Sequence, residues 1–112
     1  MKIKTAELTG RALSWAVAVC EDFFADIALR SSGDYTWSPG TKWMQGGPII
    51  ERHEIYLAKS VLGGWTASIY IKEKTINCIL HGGPTPLIAA MRCYVASKLG
   101  DEVEVPDDVA TH

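Results

Sequence analysis

His81-Gly82-Gly83-Pro84-Thr85-Pro86-Leu87-Ile88-Ala89-Ala90-Met91-Arg92-Cys93-Tyr94-Val95-Ala96-Ser97-Lys98-Leu99-Gly100 is a glycine-rich turn that runs into one helix. Thr85 suits the N-cap, because its hydroxyl can accept a bond from an unpaired amide. Pro86 suits the first helical position, where a missing N–H costs nothing. Gly100 suits the C′ position, where positive φ is common. The spacing predicts a helix over 86–99. At about 100° per residue, Leu87, Ile88, Met91, Tyr94, Val95 and Leu99 share one wide arc. Ala89, Ala90, Cys93, Ala96 and Ser97 share the other. A helix that is apolar on one side and small on the other is covered on both. The small face admits a second helix at close range: either the first helix of this chain or a second copy. The second possibility motivates an expected homo-oligomer.

Upstream, Trp65, Ala67, Ile69 and Ile71 alternate with polar residues, the period of a half-buried strand. Glu73-Lys74-Thr75 is a polar connection, and 76–80 is the returning strand of an antiparallel hairpin. Gly63-Gly64 is a turn, and Ile55-Tyr56-Leu57 is extended. Gly46-Gly47-Pro48 repeats the glycine-proline pattern. It breaks any continuous helix, and Pro48 starts a short one over 48–53. Near the N-terminus, Leu8, Ala12, Trp15, Ala16 and Val19 recur at helical spacing behind Thr5, the expected capping side chain, which predicts a helix over 6–21. Gly10 weakens it by about 1 kcal/mol against Ala. Phe23 to Leu29 extends that helix or forms a strand. Ser31-Ser32-Gly33-Asp34 is a loop, and Tyr35-Thr36-Trp37 a short extended piece. The expected fold class is α+β: a small, mostly antiparallel β-sheet with a long N-terminal and a long C-terminal helix packed on it. Residues 1–100 form the single domain, and 101–112 an acidic, loosely ordered tail.

The bulk numbers fit one domain. The chain has 112 residues, 47% hydrophobic and 21% charged, enough for a core without staples. A net charge of −2 argues against non-specific nucleic-acid binding, which needs a basic surface. Cys20, Cys78 and Cys93 are odd in number and form no C-x-x-C pair, so neither a disulfide framework nor a zinc site is expected. A reducing cytoplasm is the simplest compartment. The first five residues lack a signal peptide's apolar block, and Trp15 to Cys20 is too short to span a bilayer.

Three blocks carry a resemblance. Met1-Lys2-Ile3-Lys4-Thr5 with Leu8-Thr9-Gly10 and Ala12 to Ala18 resembles the N-terminus of the NinX-like family of small bacteriophage proteins. Trp43-Met44-Gln45-Gly46-Gly47-Pro48-Ile49-Ile50-Glu51-Arg52 resembles its central motif, and Gly83 to Asp101 its C-terminal motif. The resemblance implies a phage or prophage gene expressed inside a bacterial cell and brings no activity with it. Thr-Pro-Leu before an alanine-rich helix is also similar to a phage alpha-beta-alpha sandwich family, a likeness of fold alone.

The two glycine-proline turns are the candidate site. A loop feeding a helix N-terminus aims amide donors and a positive dipole end at one point, which suits an anion. Gly46, Gly47, Gly82, Gly83 and Thr85 would supply donors. The same turns also serve merely to end a strand and start a helix, and neither is a P-loop. Arg52 and Arg92 could each fork onto an anion. The alternatives are a solvated pair with Glu51 or Glu54 for Arg52, and an internal acid for Arg92. Trp37 and Trp43 lie in loops and serve stacking or packing equally well, whereas Trp15 and Trp65 read as core. His81 precedes the glycine turn. Cys78 lies three residues before it on a strand, so the two point to opposite faces and make no nucleophile pair. Cys20 and Cys93 read as inert thiols.

The expected function is non-catalytic binding of a small anionic molecule, in its sharpest form a nucleotide-type host defence signal that the phage protein sequesters. No cofactor or metal is expected. The first rival is an inhibitor or accessory factor that binds a host or phage protein through Trp37, Trp43 and Met44. The second is an enzyme, which would need His53, His81 and an acid in one cleft.

Overall fold

The computed structural model describes residues 1–21, 37–70 and 78–110. The readings for Phe23 to Leu29, the 31–34 loop, Tyr35-Thr36 and the 73–75 connection lie outside the described residues. The elements are β1 (Lys2–Lys4), a 3-10 turn (Thr5–Glu7), α1 (Gly10–Cys20), α2 (Trp43–Arg52), β2 (Tyr56–Lys59), β3 (Trp65–Tyr70), β4 (Cys78–Gly83), α3 (Pro86–Leu99), β5 (Glu102–Glu104) and α4 (Asp107–Ala110). The fold is α+β. One antiparallel sheet runs β2-β3-β4, and a two-stranded antiparallel ribbon joins β1 to β5.

The central element is α3, with the bounds its sequence predicts. Thr85 Oγ1 accepts from Ile88 N at 3.2 Å, Pro86 opens the helix, and Gly100 closes it at φ 88°. The sheet packs on one side of α3 and α1 on another. Its alanine-rich side faces the sheet: the Cys93 thiol donates to Ile79 O, and a Cβ on Gly83 would lie 2.7 Å from Ala89 N. Ala89, Ala90 and Cys93 are fully buried within this one chain. The small face that suggested a second copy is therefore filled by the molecule's own strands.

Four expectations are corrected. The first helix starts at Gly10 and not near residue 6. Leu8 and Thr9 are extended at the junction, where the Leu8 carbonyl turns away to accept from Arg92 Nε at 2.8 Å. Thr5 caps nothing: its hydroxyl donates to Gly100 O at 2.6 Å, so it ties the 3-10 turn to the end of α3. The Gly82-Gly83 turn is strand instead, with Thr66 opposite Gly82 and Trp65 opposite Gly83. Lacking a side chain, Gly83 lets β4 run on beneath the first turn of α3. Gly46-Gly47 does not break a helix either. α2 runs straight through it, with Pro48 inside. Gly46 is pressed against Pro39 O and Leu87, Ile49 is buried and the Pro48 ring is exposed. Packing thus outweighs the amide that proline lacks.

The expected loose tail is also corrected. Glu102-Val103-Glu104 pairs with β1, and Val105 N donates to Met1 O at 2.9 Å. Val103, Val105 and Val109 are buried in the common core. The alternation Glu-Val-Glu-Val is itself a strand signal, which the acidity of the segment masks. The Gly63-Gly64 turn is present, both residues with positive φ, and closes the β2–β3 hairpin through Ser60 N to Gly64 O at 3.1 Å.

Candidate functional site

Two helix starts open onto one cleft. The first turns of α2 and α3 face it, and it holds about 240 Å³ between Gly40, Thr41, Trp43, Thr85, Pro86, Leu87 and Ile88. The Ser38-Pro39-Gly40-Thr41 turn shapes its rim. Thr41 and Lys42 amides both donate to Ser38 O, and Ser38 N donates to Gln45 Oε1 at 2.6 Å. Gly40 keeps the turn close to Leu13, whose side chain would lie 3.0 Å from a Cβ there.

Amide donors are arranged as at any helix start. In α2, Gln45 and Gly46 amides bond to Lys42 O, which leaves Trp43 and Met44 amides without a backbone acceptor among the described residues. In α3, Thr85 takes the Ile88 amide with its hydroxyl and the Ala89 amide with its carbonyl. Pro86 has none to give, so the Leu87 amide remains. Both dipoles have their positive ends here. The indole of Trp43 is 56% exposed and flanks the cleft. The other walls are mostly apolar, with Thr41 and Thr85 as their polar side chains.

Of the ten residues singled out in the sequence, Trp43 and Thr85 line this cleft. Gly46 lies just behind it, against Leu87. Gly83 lies under Ile88 and Ala89. These two glycines serve close approach, not ligand contact. Gly47 faces open space in mid-helix. Gly82 pairs in the sheet, and its carbonyl accepts from Arg92 at 3.1 Å. Arg92 thus finds two backbone carbonyls, Leu8 and Gly82, where an internal acid was the alternative to a ligand. It is buried, and that burial lowers its pKa. His81 stands opposite Ala67 on β4. Burial holds its pKa below the usual value, with Arg92 adding to the effect and Asp101 opposing it. Trp37 donates its indole N–H to Ser14 O at 3.0 Å and packs on the core.

Arg52 belongs to a separate cluster at the far end of α2, about 14 Å along the helix from Trp43. It is paired with Glu21. Tyr94 donates to the other Glu21 oxygen at 2.6 Å, and the His53 ring lies 4.5 Å from the Tyr94 ring. Burial would raise the Glu21 pKa, but hydrogen bonds from Tyr94 and Arg52 win and lower it. Burial, then Glu21, raises that of Tyr94. Burial, with Arg52 and Lys98, lowers that of His53. Burial also pushes the Cys20 thiol up to about 12, an unreactive state. The cluster joins the ends of α1 and α2 to the middle of α3. Sequence reasoning missed it, because Glu21, Arg52 and Tyr94 are far apart in the chain and no shared motif links them.

Among the described residues no group of three or more His, Cys, Asp or Glu side chains could hold a metal ion. No described helix is long and apolar enough to cross a membrane.

No curated protein matches the chain. The family model described as Bacteriophage P22, NinX matches residues 4–98. That span takes in α1, α2, the three-stranded sheet and nearly all of α3, including every residue lining the cleft. The chain belongs to the bacteriophage P22 NinX family.

Proposed function

We propose that this phage-family protein binds a small anionic molecule bearing a flat ring, without transforming it, in the cleft between the starts of α2 and α3. The convergence of two helix N-termini beside an exposed indole carries the reading. The Trp43 and Leu87 amides suit the anionic group. Trp43 offers a face for the ring, an interaction worth about 1–3 kcal/mol per base. A cleft of about 240 Å³ is smaller than the roughly 300–1,000 Å³ of usual ligand pockets. It therefore suits one ring and its charged group. The sharpest form is a mononucleotide-sized host signal, held by the phage protein inside the infected cell and so withdrawn from its receptor.

Isothermal titration against a panel of linear and cyclic mononucleotides tests the reading. The expected result is one ligand binding with 1:1 stoichiometry, weakened at least about five-fold by Trp43→Ala. No heat with any member, from protein shown to be folded, overturns the nucleotide form.

One observation favours a second reading, an accessory factor that docks on a protein. Met44 is 91% exposed and stands beside Trp43 on the first turn of α2. Met44 does not line the cleft, so Met44→Glu separates the two readings. Loss of a stoichiometric host partner with small-molecule binding intact favours docking.

A further inference from the structure

The β2-β3-β4 sheet is packed on one face. Ala67 and Ile69 of β3 are buried on that face, in the core shared with α3. The residues that alternate with them point the other way, and the register lines them up in rows. Tyr56, Ser68 and Leu80 form one row across the three strands, and Ala58, Thr66 and Gly82 form the next. Tyr70 stands beyond the first row, where its ring meets that of Tyr56 edge-on at 6.0 Å. Tyr56 is 62% exposed, Tyr70 59% and Leu80 64%, so the described chain leaves this face open. These residues carry no charge. The described strands of this sheet hold no acid, and their basic side chains, Lys59 and His81, have the opposite phase, paired with Trp65 and Ala67.

We infer that this face is the interaction surface for a second copy of the chain, in a two-fold dimer whose sheets pack face to face. The neighbouring rows of large and small residues select that occupant. A surface that meets its own copy about a two-fold axis must be complementary to itself. An axis that crosses the strands between the rows sets each row on the other row of the second copy. Tyr56 then rests over Ala58, Leu80 over Gly82 and Tyr70 over Gly64, a large side chain over a small one each time. Ser68 faces Thr66, so their hydroxyls can exchange a hydrogen bond. The same rotation brings Glu54, just ahead of β2, towards Lys59 at the strand's end, a pairing of opposite charges formed twice. A face without charge meets its copy without repulsion. Nucleic acid needs cations for its phosphates, and none stands on this face. Sheets stacked in this way lie about 10 Å apart. The face offers roughly 500 Å² per copy, taking about 150–250 Å² for a whole aromatic side chain. The pair therefore buries about 1,000 Å², the lower edge of specific interfaces, and the dimer is reversible. None of these residues lines the cleft between α2 and α3, so dimerisation leaves that cleft open.

Analytical ultracentrifugation of the full-length protein, from about 1 µM to about 1 mM, is the test. The expected result is a monomer–dimer equilibrium with no larger species. Leu80→Arg and Gly82→Val each weaken dimerisation about ten-fold or more, the first by burying a charge and the second by filling the small row. Both positions are exposed, and a Cβ on Gly82 makes only ordinary contact with Trp65 O at 3.5 Å, so the fold is kept. Tyr56→Glu and Ala58→Lys each weaken it as well. The double variant Tyr56→Glu/Ala58→Lys recovers most of the loss, because the two positions face each other across copies. Met44→Arg, on the exposed first turn of α2, leaves dimerisation unchanged. A wild-type protein that stays monomeric at about 1 mM overturns the inference. So does a dimer indifferent to Leu80→Arg and Gly82→Val, equal weakening by Met44→Arg, or a double variant no better than its weaker parent.

Discussion

Arg92 is buried among carbonyls. Its guanidinium serves Leu8 on the N-terminal segment and Gly82 on β4, and so joins two elements to α3 with one side chain. Replacement by methionine leaves both carbonyls unpaired, at about 1–3 kcal/mol each. Arg92→Met is therefore expected to lower stability by about 2–5 kcal/mol in urea unfolding, and Arg92→Lys by less. Adjacent glycines give a sharper test. A Cβ on Gly46 would lie 2.4 Å from Pro39 O and 2.6 Å from Leu87, whereas one on Gly47 meets nothing within 4 Å. Gly46→Ala should cost about 1–3 kcal/mol through overpacking. Gly47→Ala should stabilise by about 0.5–1 kcal/mol through helix propensity. The sequence shows both glycines as identical punctuation. Only the approach of Pro39 and Leu87 to Gly46 tells them apart.

At the scale of elements, legibility followed locality. Every signal that defines α3 lies within it: Thr85, Pro86, Gly100 and the apolar arcs. Its bounds were accordingly readable, and Thr85→Ala is expected to cost about 1 kcal/mol in thermal unfolding by freeing the Ile88 amide. The start of α1 was not readable, because Leu8 O is drawn off by Arg92 and Thr5 Oγ1 by Gly100 O. Nor was α2, whose passage through Gly46-Gly47-Pro48 rests on contacts with Pro39 and with α3. The candidate cleft shows the same division. Trp43 and Thr85 stand out in the sequence by type. Gly40, Thr41 and Ile88 join them only because two helix starts meet.

For the whole molecule, two histidines set the response to acid. Burial holds the pKa of His53 and of His81 below the usual 6.5. As pH falls below 6.5 the unfolded chain takes up protons before the folded one does, so stability declines with acidification through that range. Glu21 adds a second step. Its folded pKa lies below the usual 4.5, so the stability it contributes above 4.5 is lost as pH falls further. The urea midpoint should be level between about pH 7 and 8, fall from about pH 6.5 downward, and fall again in alkali, where the unfolded chain ionises Cys20 and Tyr94 before the folded one does. His53→Gln/His81→Gln should flatten the first part of the acid fall and leave the second.

The ribbon of β1 and β5 sets a schedule. Lys2 lies opposite Glu104 and Lys4 opposite Glu102, so β1 leaves the ribosome long before its partner. At roughly 5–20 residues per second, Ile3 waits on the order of ten seconds for Val103 to appear. The buried Leu8 and Thr5 rest on α3 and its end, so they too wait for late segments. Ribosome-stalled chains ending at Gly100 should remain protease-sensitive at the N-terminus, whereas chains with residues 101–112 outside the exit tunnel should be protected. The N-terminal segment is thus shaped by one made about a hundred residues later, and the emergence of β5 is the event that locks it.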